Sequence, residues 1–302
     1  MLQLRVINNK IVNSKNEEVV LKGANTNSPG ILKFEENHDI LNDLSEIKKL
    51  GFNAVCIPIC PAYYQSRANY CELLLDPIVR LSEELGLYCL IDWHAQGNPI
   101  QNITREPSMR IEGYLKYDAS NVVAERAAKE LSFRYGSNTH VLFNPFSAFL
   151  GTNKEEWKQS IDMFTKIIRE STNNIIIISG TDWPPNQTSA LNFVIKDQNS
   201  VYGMMVYSTT GQKSKDELLK LKAQRPVIIT ECGYQAKDPK EIALGGTEAY
   251  ALELKNYIEE NRLSWFAWSY HPTRQPTLLN SWDPDDLSPW GLFVKENLLV
   301  KK

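Results

Sequence analysis

Short apolar runs rich in β-branched residues alternate along the chain with longer stretches in which apolar residues recur at helical spacing, the pattern of repeated strand–helix units around a parallel sheet. The runs are Glu18–Gly23, Ala54–Ile59, Tyr88–Asp92, His140–Phe143, Asn174–Ser179, Val201–Tyr207, Pro226–Thr230 and Ser264–Trp268. Helices are predicted between them over Ile40–Leu50, Glu72–Leu85, Ser120–Tyr135, Lys154–Thr172, Lys215–Leu221 and Thr247–Asn261. Val19–Leu21 and Ile175–Ile178 are apolar without alternation, as strands covered on both faces are. Eight such units predict an α/β fold, a (β/α)8 TIM barrel, in one domain over residues 1–302, with its active site where strands run out into the following loops. No G-x-G-x-x-G or phosphate-cradling loop follows any strand, which removes the main reason to prefer a doubly wound open sheet. Residues 1–17 are predicted to form a hairpin, Leu4–Ile7 with Lys10–Asn13, closing the barrel floor.

Composition narrows the partners. Hydrophobic residues make up 42% and charged residues 23%, an ordinary globular balance. The net charge of −3, from 33 basic and 36 acidic residues without long runs of either sign, argues against nucleic acid. No apolar run approaches the roughly 20 residues of a membrane helix, and the first ten residues lack the pattern of an export signal. Five cysteines without C-x-x-C spacing read as reduced thiols in a cytoplasm. Cys56 and Cys60 are expected on one side of the second strand, near His94 and Cys232, where a soft zinc site could be drawn; packing as small hydrophobes is the better reading. Asp283, Asp285 and Asp286 lack the Gly and distal Glu of a calcium loop and read as a solvated turn. No metal and no cofactor are expected.

Polar and aromatic residues converge at the carboxyl ends of the runs. They are Asn25 and Asn27 after the first; Cys56, Pro58 and Cys60 on the second; Asp92 and His94 on the third; and Ser147 and Ala148 beyond the fourth. The fifth ends in Asp182 and Trp183, the sixth in Met205 and Tyr207, the seventh in Glu231, and the eighth in Trp268, Tyr270 and His271. Glu231 is the most informative, because a carboxylate closing a buried run must be hydrogen-bonded or charge-paired to stay ionised. The aromatic residues could stack on a sugar ring or simply fill the barrel mouth. Asp92 is expected to fix loop geometry through backbone hydrogen bonds, and His140 to be structural. The connections Ala95–Ala119 and Ser269–Pro289 are long enough to be functional.

Six fragments carry a family resemblance: Val-Leu-Lys-Gly-Ala-Asn (20–25), Gly-Phe-Asn-Ala-Val-Cys-Ile-Pro (51–58), Ile-Asp-Trp-His (91–94), Ile-Ile-Thr-Glu-Cys-Gly (228–233), Trp-Phe-Ala-Trp (265–268) and Leu-Ser-Pro-Trp-Gly-Leu (287–292). In order and register they resemble glycoside hydrolase family 5, the cellulase-like family, over essentially the whole chain. The resemblance implies a retaining glycosidase with two carboxylates about 5–5.5 Å apart, of which Glu231 matches the nucleophile. The acid/base implied is the Glu of an Asn-Glu-Pro motif past the fourth strand. Aligned without a gap, Ser147 stands for its Asn and Ala148 for its Glu. The family Arg on the second strand is Cys56 here, and the His of a His-x-Tyr motif is Met205, whereas Tyr207 and His94 are kept.

A placed carboxylic acid contributes roughly 10²–10⁴-fold to such a reaction, and Ala148 supplies none of it. The first expectation is therefore a degenerate or re-tasked barrel binding a carbohydrate, sugar-like or other small-molecule ligand. The second is an active glycosidase or transglycosidase with a substitute acid from Asp182, His271, Glu106, Glu112 or Asp283. The third is an enzyme of a small non-sugar metabolite with Glu231 as base. Glu155 and Glu156 read as first-turn residues of the next helix.

Overall fold

The computed structural model describes residues 1–105, 121–181 and 195–300. Strands β1 (Leu4–Ile7) and β2 (Lys10–Asn13) form an antiparallel hairpin on the predicted residues. The chain continues through β3 (Lys22–Asn25), α1 (Pro29–Phe34), α2 (Ile40–Leu50), β4 (Ala54–Ile59), α3 (Pro61–Ser66), α4 (Asp76–Leu85) and β5 (Tyr88–Trp93). Next come β6 (Gln96–Asn98), β7 (Ile103–Arg105), α5 (Asn121–Tyr135), β8 (Val141–Asn144), β9 (Ala148–Phe149), α6 (Lys154–Arg169) and β10 (Ile176–Ser179). The last part holds β11 (Ser200–Val206), α7 (Gln212–Lys222), β12 (Val227–Cys232), α8 (Glu248–Glu260), β13 (Ser264–Ala267) and α9 (Pro289–Phe293). A closed parallel barrel runs β3-β4-β5-β8-β10-β11-β12-β13 and back to β3, the predicted (β/α)8 TIM barrel.

The first barrel strand is displaced from its expected span of Glu18–Gly23. The Val19 amide donates to the Ile11 carbonyl at 2.9 Å, so the stretch begins on the hairpin; Leu21 O then accepts from the Trp265 amide of β13 at 2.9 Å, and register with β13 starts at Lys22 and with β4 at Gly23. Gly23 sits where a Cβ would come within 2.2 Å of the Phe266 ring, so the barrel interior has room here for one aromatic ring and no second side chain. The helix expected over Glu72–Leu85 divides into a wide turn, Cys71–Leu75, and α4. Within the described start of the connection after β5, β6 pairs with β7 and, in parallel, with β9.

Two apolar layers hold the barrel. Leu4 and Ile11 of the hairpin pack with Leu21, Ile175, Val201 and Ile228 inside it, closing its floor. The outward residues of the same strands pack under the helices, where Trp157, Trp265 and Phe164 are fully buried. Asn153 caps α6 by accepting from the Glu156 amide at 2.9 Å, and the Glu156 carboxylate accepts from the Asn153 amide at 3.0 Å. That carboxylate also accepts from Asn98 and Gln101, tying the β6 loop to α6, so Glu156 is occupied structurally.

Candidate functional site

Strand alternation decides which side chains enter the barrel mouth. On β11, Val201 packs inside and Tyr202, Met204 and Val206 pack outside, so Met205 and Tyr207 face inward. On β12, Ile228 faces in and Val227 and Ile229 face out; unbroken alternation would turn Glu231 outward and Cys232 inward. The opposite holds, because β12 carries a bulge. Met204 pairs with Ile229 but Met205 with Glu231, and on the other side Ile229 pairs with Trp265 but Cys232 with Ala267. Thr230 is the extra residue on both edges, and bulges of this kind re-aim side chains beside active sites. Its carbonyl accepts from the Asn25 amide group at 3.1 Å, with Ala267 O a second acceptor at 3.4 Å.

Glu231 is thereby delivered, only 5% exposed, to the barrel interior. Its Oε2 accepts a 2.7 Å hydrogen bond from the Tyr207 hydroxyl. Burial pushes its carboxyl up to about 7, with the charge of Asp92 adding to the rise and His94 and the Tyr207 donor opposing it. Cys56 lies in the inner cluster, and burial, Asp92 and Glu231 all push its thiol well above the ordinary range. Met205 and Cys56 are both buried, apolar side chains on the strands flanking the polar group of Tyr207, His94 and Asp92 around the carboxyl.

Asp92 differs from its expected role. It binds side chains rather than backbone, accepting from His94 Nδ1 at 2.7 Å and from Asn144 Nδ2 at 2.7 Å, while Asn144 Oδ1 accepts from Ser179 at 3.2 Å. Asn144 and Ser179 close apolar runs as Glu231 does, and that shared position was the signal for both. The His94 ring stacks on Trp268 at 5.6 Å between centroids. Ser147 and Ala148 are buried on the segment paired with β6: Ser147 N donates to Trp93 O at 3.0 Å and Ala148 N to Ala95 O at 3.2 Å. Phe149 faces the outer core, so the methyl of Ala148 points the other way.

Tyr270 and His271 are not brought into this network. Tyr270 is buried in the outer core, and its phenol is pushed up by burial and by Asp43, Glu46 and Asp285. His271 Nδ1 accepts from the Thr273 and Arg274 amides at 3.0 and 3.2 Å, so its ring proton sits on Nε2, which donates to Glu36 at 2.7 Å. Glu36 also accepts from Asn27 at 3.4 Å. Glu36 had no signal in the sequence, since it sits in a loop far from any strand end. Asp283 is exposed and accepts from the Asp285 amide within its turn. Asp182, Trp183, Glu106 and Glu112 lie outside the described residues.

The cysteines do not share a side as expected. Cys56 faces the barrel interior, whereas Cys60, beyond the end of β4 at the start of α3, and Cys232 belong to the outer core. Among the described residues no group of His, Cys, Asp and Glu is gathered as a metal ion requires, and no helix is long and apolar enough to cross a membrane.

The family model described as Cellulase (glycosyl hydrolase family 5) matches residues 12–274. Endoglucanase A of Evansella cellulosilytica is 25% identical over 265 residues, 78% of this chain and 49% of that protein. An endoglucanase of Clostridium saccharobutylicum is 20% identical over 318 residues, 98% of this chain and 65% of that one. The chain thus spans about half to two thirds of the length of these curated relatives. A β-glucanase of Saccharophagus degradans, solved in complex with cellotetraose, has the same fold with a TM-score of 0.85 at 22% identity, over 99% of this chain and 93% of that one. The catalytic domain of an endoglucanase from Thermobifida fusca follows at 0.79 and 16%, over 99% and 97%.

Proposed function

The chain belongs to the cellulase family, glycosyl hydrolase family 5, and from that premise we propose that it binds a carbohydrate at a site that has kept the nucleophile position, Glu231, and lost the acid/base to Ala148. The observation that carries this reading is the company of Glu231. Among the described residues the carboxylate that bears on it is Asp92, whose two oxygens are already taken by His94 and Asn144. A second carboxyl able to protonate a departing sugar oxygen needs a free proton and a place about 5–5.5 Å away in a retaining enzyme, or about 6.5–9.5 Å in an inverting one. His271 is a poor substitute, since both ring nitrogens are engaged. The family relationship and the cellotetraose bound by the Saccharophagus enzyme support a β-linked glucan oligosaccharide as ligand, held against Trp268 and His94. Five free, buried thiols support a cytoplasmic location as part of the same proposal.

The test pairs binding with chemistry. Calorimetric titration with cellotetraose should show saturable binding, and prolonged incubation at neutral pH should release no new reducing ends. An aryl cellobioside with a good leaving group needs no acid for its first step, so Glu231 could still be glycosylated; azide, which needs no base, should then raise turnover and yield a glycosyl azide. Cleavage of cellotetraose at an ordinary enzymatic rate, on the order of 1 s⁻¹ or faster, would overturn the proposal in favour of an enzyme with a substitute acid. Failure of any sugar to bind would leave a non-sugar ligand for Glu231.

A further inference from the structure

On the outer flank of the barrel, between α3 and α5, an open cleft of about 280 Å³ lies apart from the Glu231 network. Arg67, which follows α3, and Arg126, on α5, both line it. Arg134, two turns further along α5, commits its guanidinium to Asp76, with Nε donating at 2.8 Å. Among the described residues no carboxylate engages Arg67 or Arg126 in that way. The Arg67 guanidinium carbon sits 4.1 Å from the centroid of the Phe34 ring. The ring covers one face of the planar group, and among the described residues no carboxylate takes its N–H edges, which orients a fork suited to an oxyanion.

Glu130 is the acidic residue of the cleft, and its oxygens are turned to the wall. One accepts from the Tyr64 hydroxyl and the other from Cys71 Sγ at 3.6 Å. Burial and Glu130 itself push the Cys71 thiol up to about 12, so it remains the donor. Two guanidinium groups against one carboxylate leave a single positive charge. Tyr64 and Tyr70, packed edge to face at 5.8 Å, add an aromatic wall.

We propose that this cleft is a second binding site, for a small molecule bearing one carboxylate, such as a uronate. The two guanidinium groups take the carboxylate and the tyrosine wall takes the carbon frame. The proposal does not depend on the assignment of Glu231. Its test is calorimetric titration of the full chain with sodium glucuronate at low salt, beside glucose as the uncharged analogue and sodium phosphate as a different anion. Glucuronate should bind saturably, persist in saturating cellotetraose, and weaken at least about tenfold in R67A/R126A. Arg67→Lys with Arg126→Lys keeps the charge but not the planar fork, and should fall between the two. Undiminished affinity in R67A/R126A, displacement by cellotetraose, equal binding of glucose, preference for phosphate, or no binding at all would each overturn it.

Discussion

The Tyr207 hydroxyl donates to Glu231 Oε2 at 2.7 Å, and both residues are almost completely buried. A donor to a carboxylate favours its ionised form, and here it works against the burial that raises the carboxyl to about 7. Tyr207→Phe should therefore move the Glu231 titration still higher. Carbon-13 titration of the labelled glutamate side chains, with Glu231→Gln to assign the resonance, reads this directly. A midpoint that stays put or falls would show that the hydroxyl does not support the anion.

Glu231 should also make stability depend on pH in a definite direction. Its folded pKa, about 7, lies above the ordinary 4.5, so the folded state holds its proton more tightly than the unfolded chain. The resulting stability is fully present below about pH 4.5 and is lost as pH rises through about 7. A shift of this size corresponds to about 3 kcal/mol. Glu231→Gln keeps an acceptor for Tyr207 and removes the ionisation, so its stability relative to the parent should improve by up to that amount between pH 4.5 and pH 8. Urea denaturation at the two values measures it, and a pH-independent difference would contradict the buried, raised carboxyl.

The barrel was legible because its strands are nearly uninterrupted apolar runs; Ala54–Ile59 was bounded from sequence alone. Its errors have physical causes. Val19–Leu21 looked like one strand because it is apolar throughout, but it changes partner along its length: Val19 bonds to Ile11 of the hairpin, and only Leu21 bonds to Ser264 and Trp265 of β13. The inward aim of Glu231 rests on one extra residue, Thr230, whose insertion shows only in the register of two neighbouring strands. The same limit hid the Asp92–Asn144–Ser179 chain, since each residue was visible at a strand end but their meeting depends on how three strands close side by side. Tyr270 stood in the right place along the chain, yet it turns into the outer core.

His140 offers a second pH test, far from the mouth. It is fully buried, with Nε2 bonded to the Val79 carbonyl at 3.0 Å; among the described residues Nδ1 has no hydrogen-bond partner, and the Glu83 carboxylate lies 3.9 Å from it. Burial lowers its pKa below the usual 6.5, so protonation is easier in the unfolded chain. The stability it contributes is present above about pH 6.5 and is lost as pH falls toward the lower folded value. His140→Gln should flatten the decline in stability between pH 6.5 and pH 5 seen in the parent. An unchanged slope would locate the acid sensitivity elsewhere.

On the proposed assignment, Ala148→Glu should restore what the site lacks. The methyl of Ala148 is wholly buried on a segment fixed by backbone hydrogen bonds to Ala95 and Trp93, so the new carboxyl would start from a defined position. Burial would raise its pKa, which suits a group that must first give a proton and later take one. The gain in hydrolysis of an aryl cellobioside should be about 10²-fold, the lower end of what general acid–base catalysis contributes, because Cys56 and Met205 leave other parts of the family arrangement unrestored. The same substitution should abolish stimulation by azide, since water would again have a base. Circular dichroism and a melting curve establish that the variant is folded. A folded Ala148→Glu protein with parental activity and unchanged azide response would place the missing acid somewhere other than residue 148.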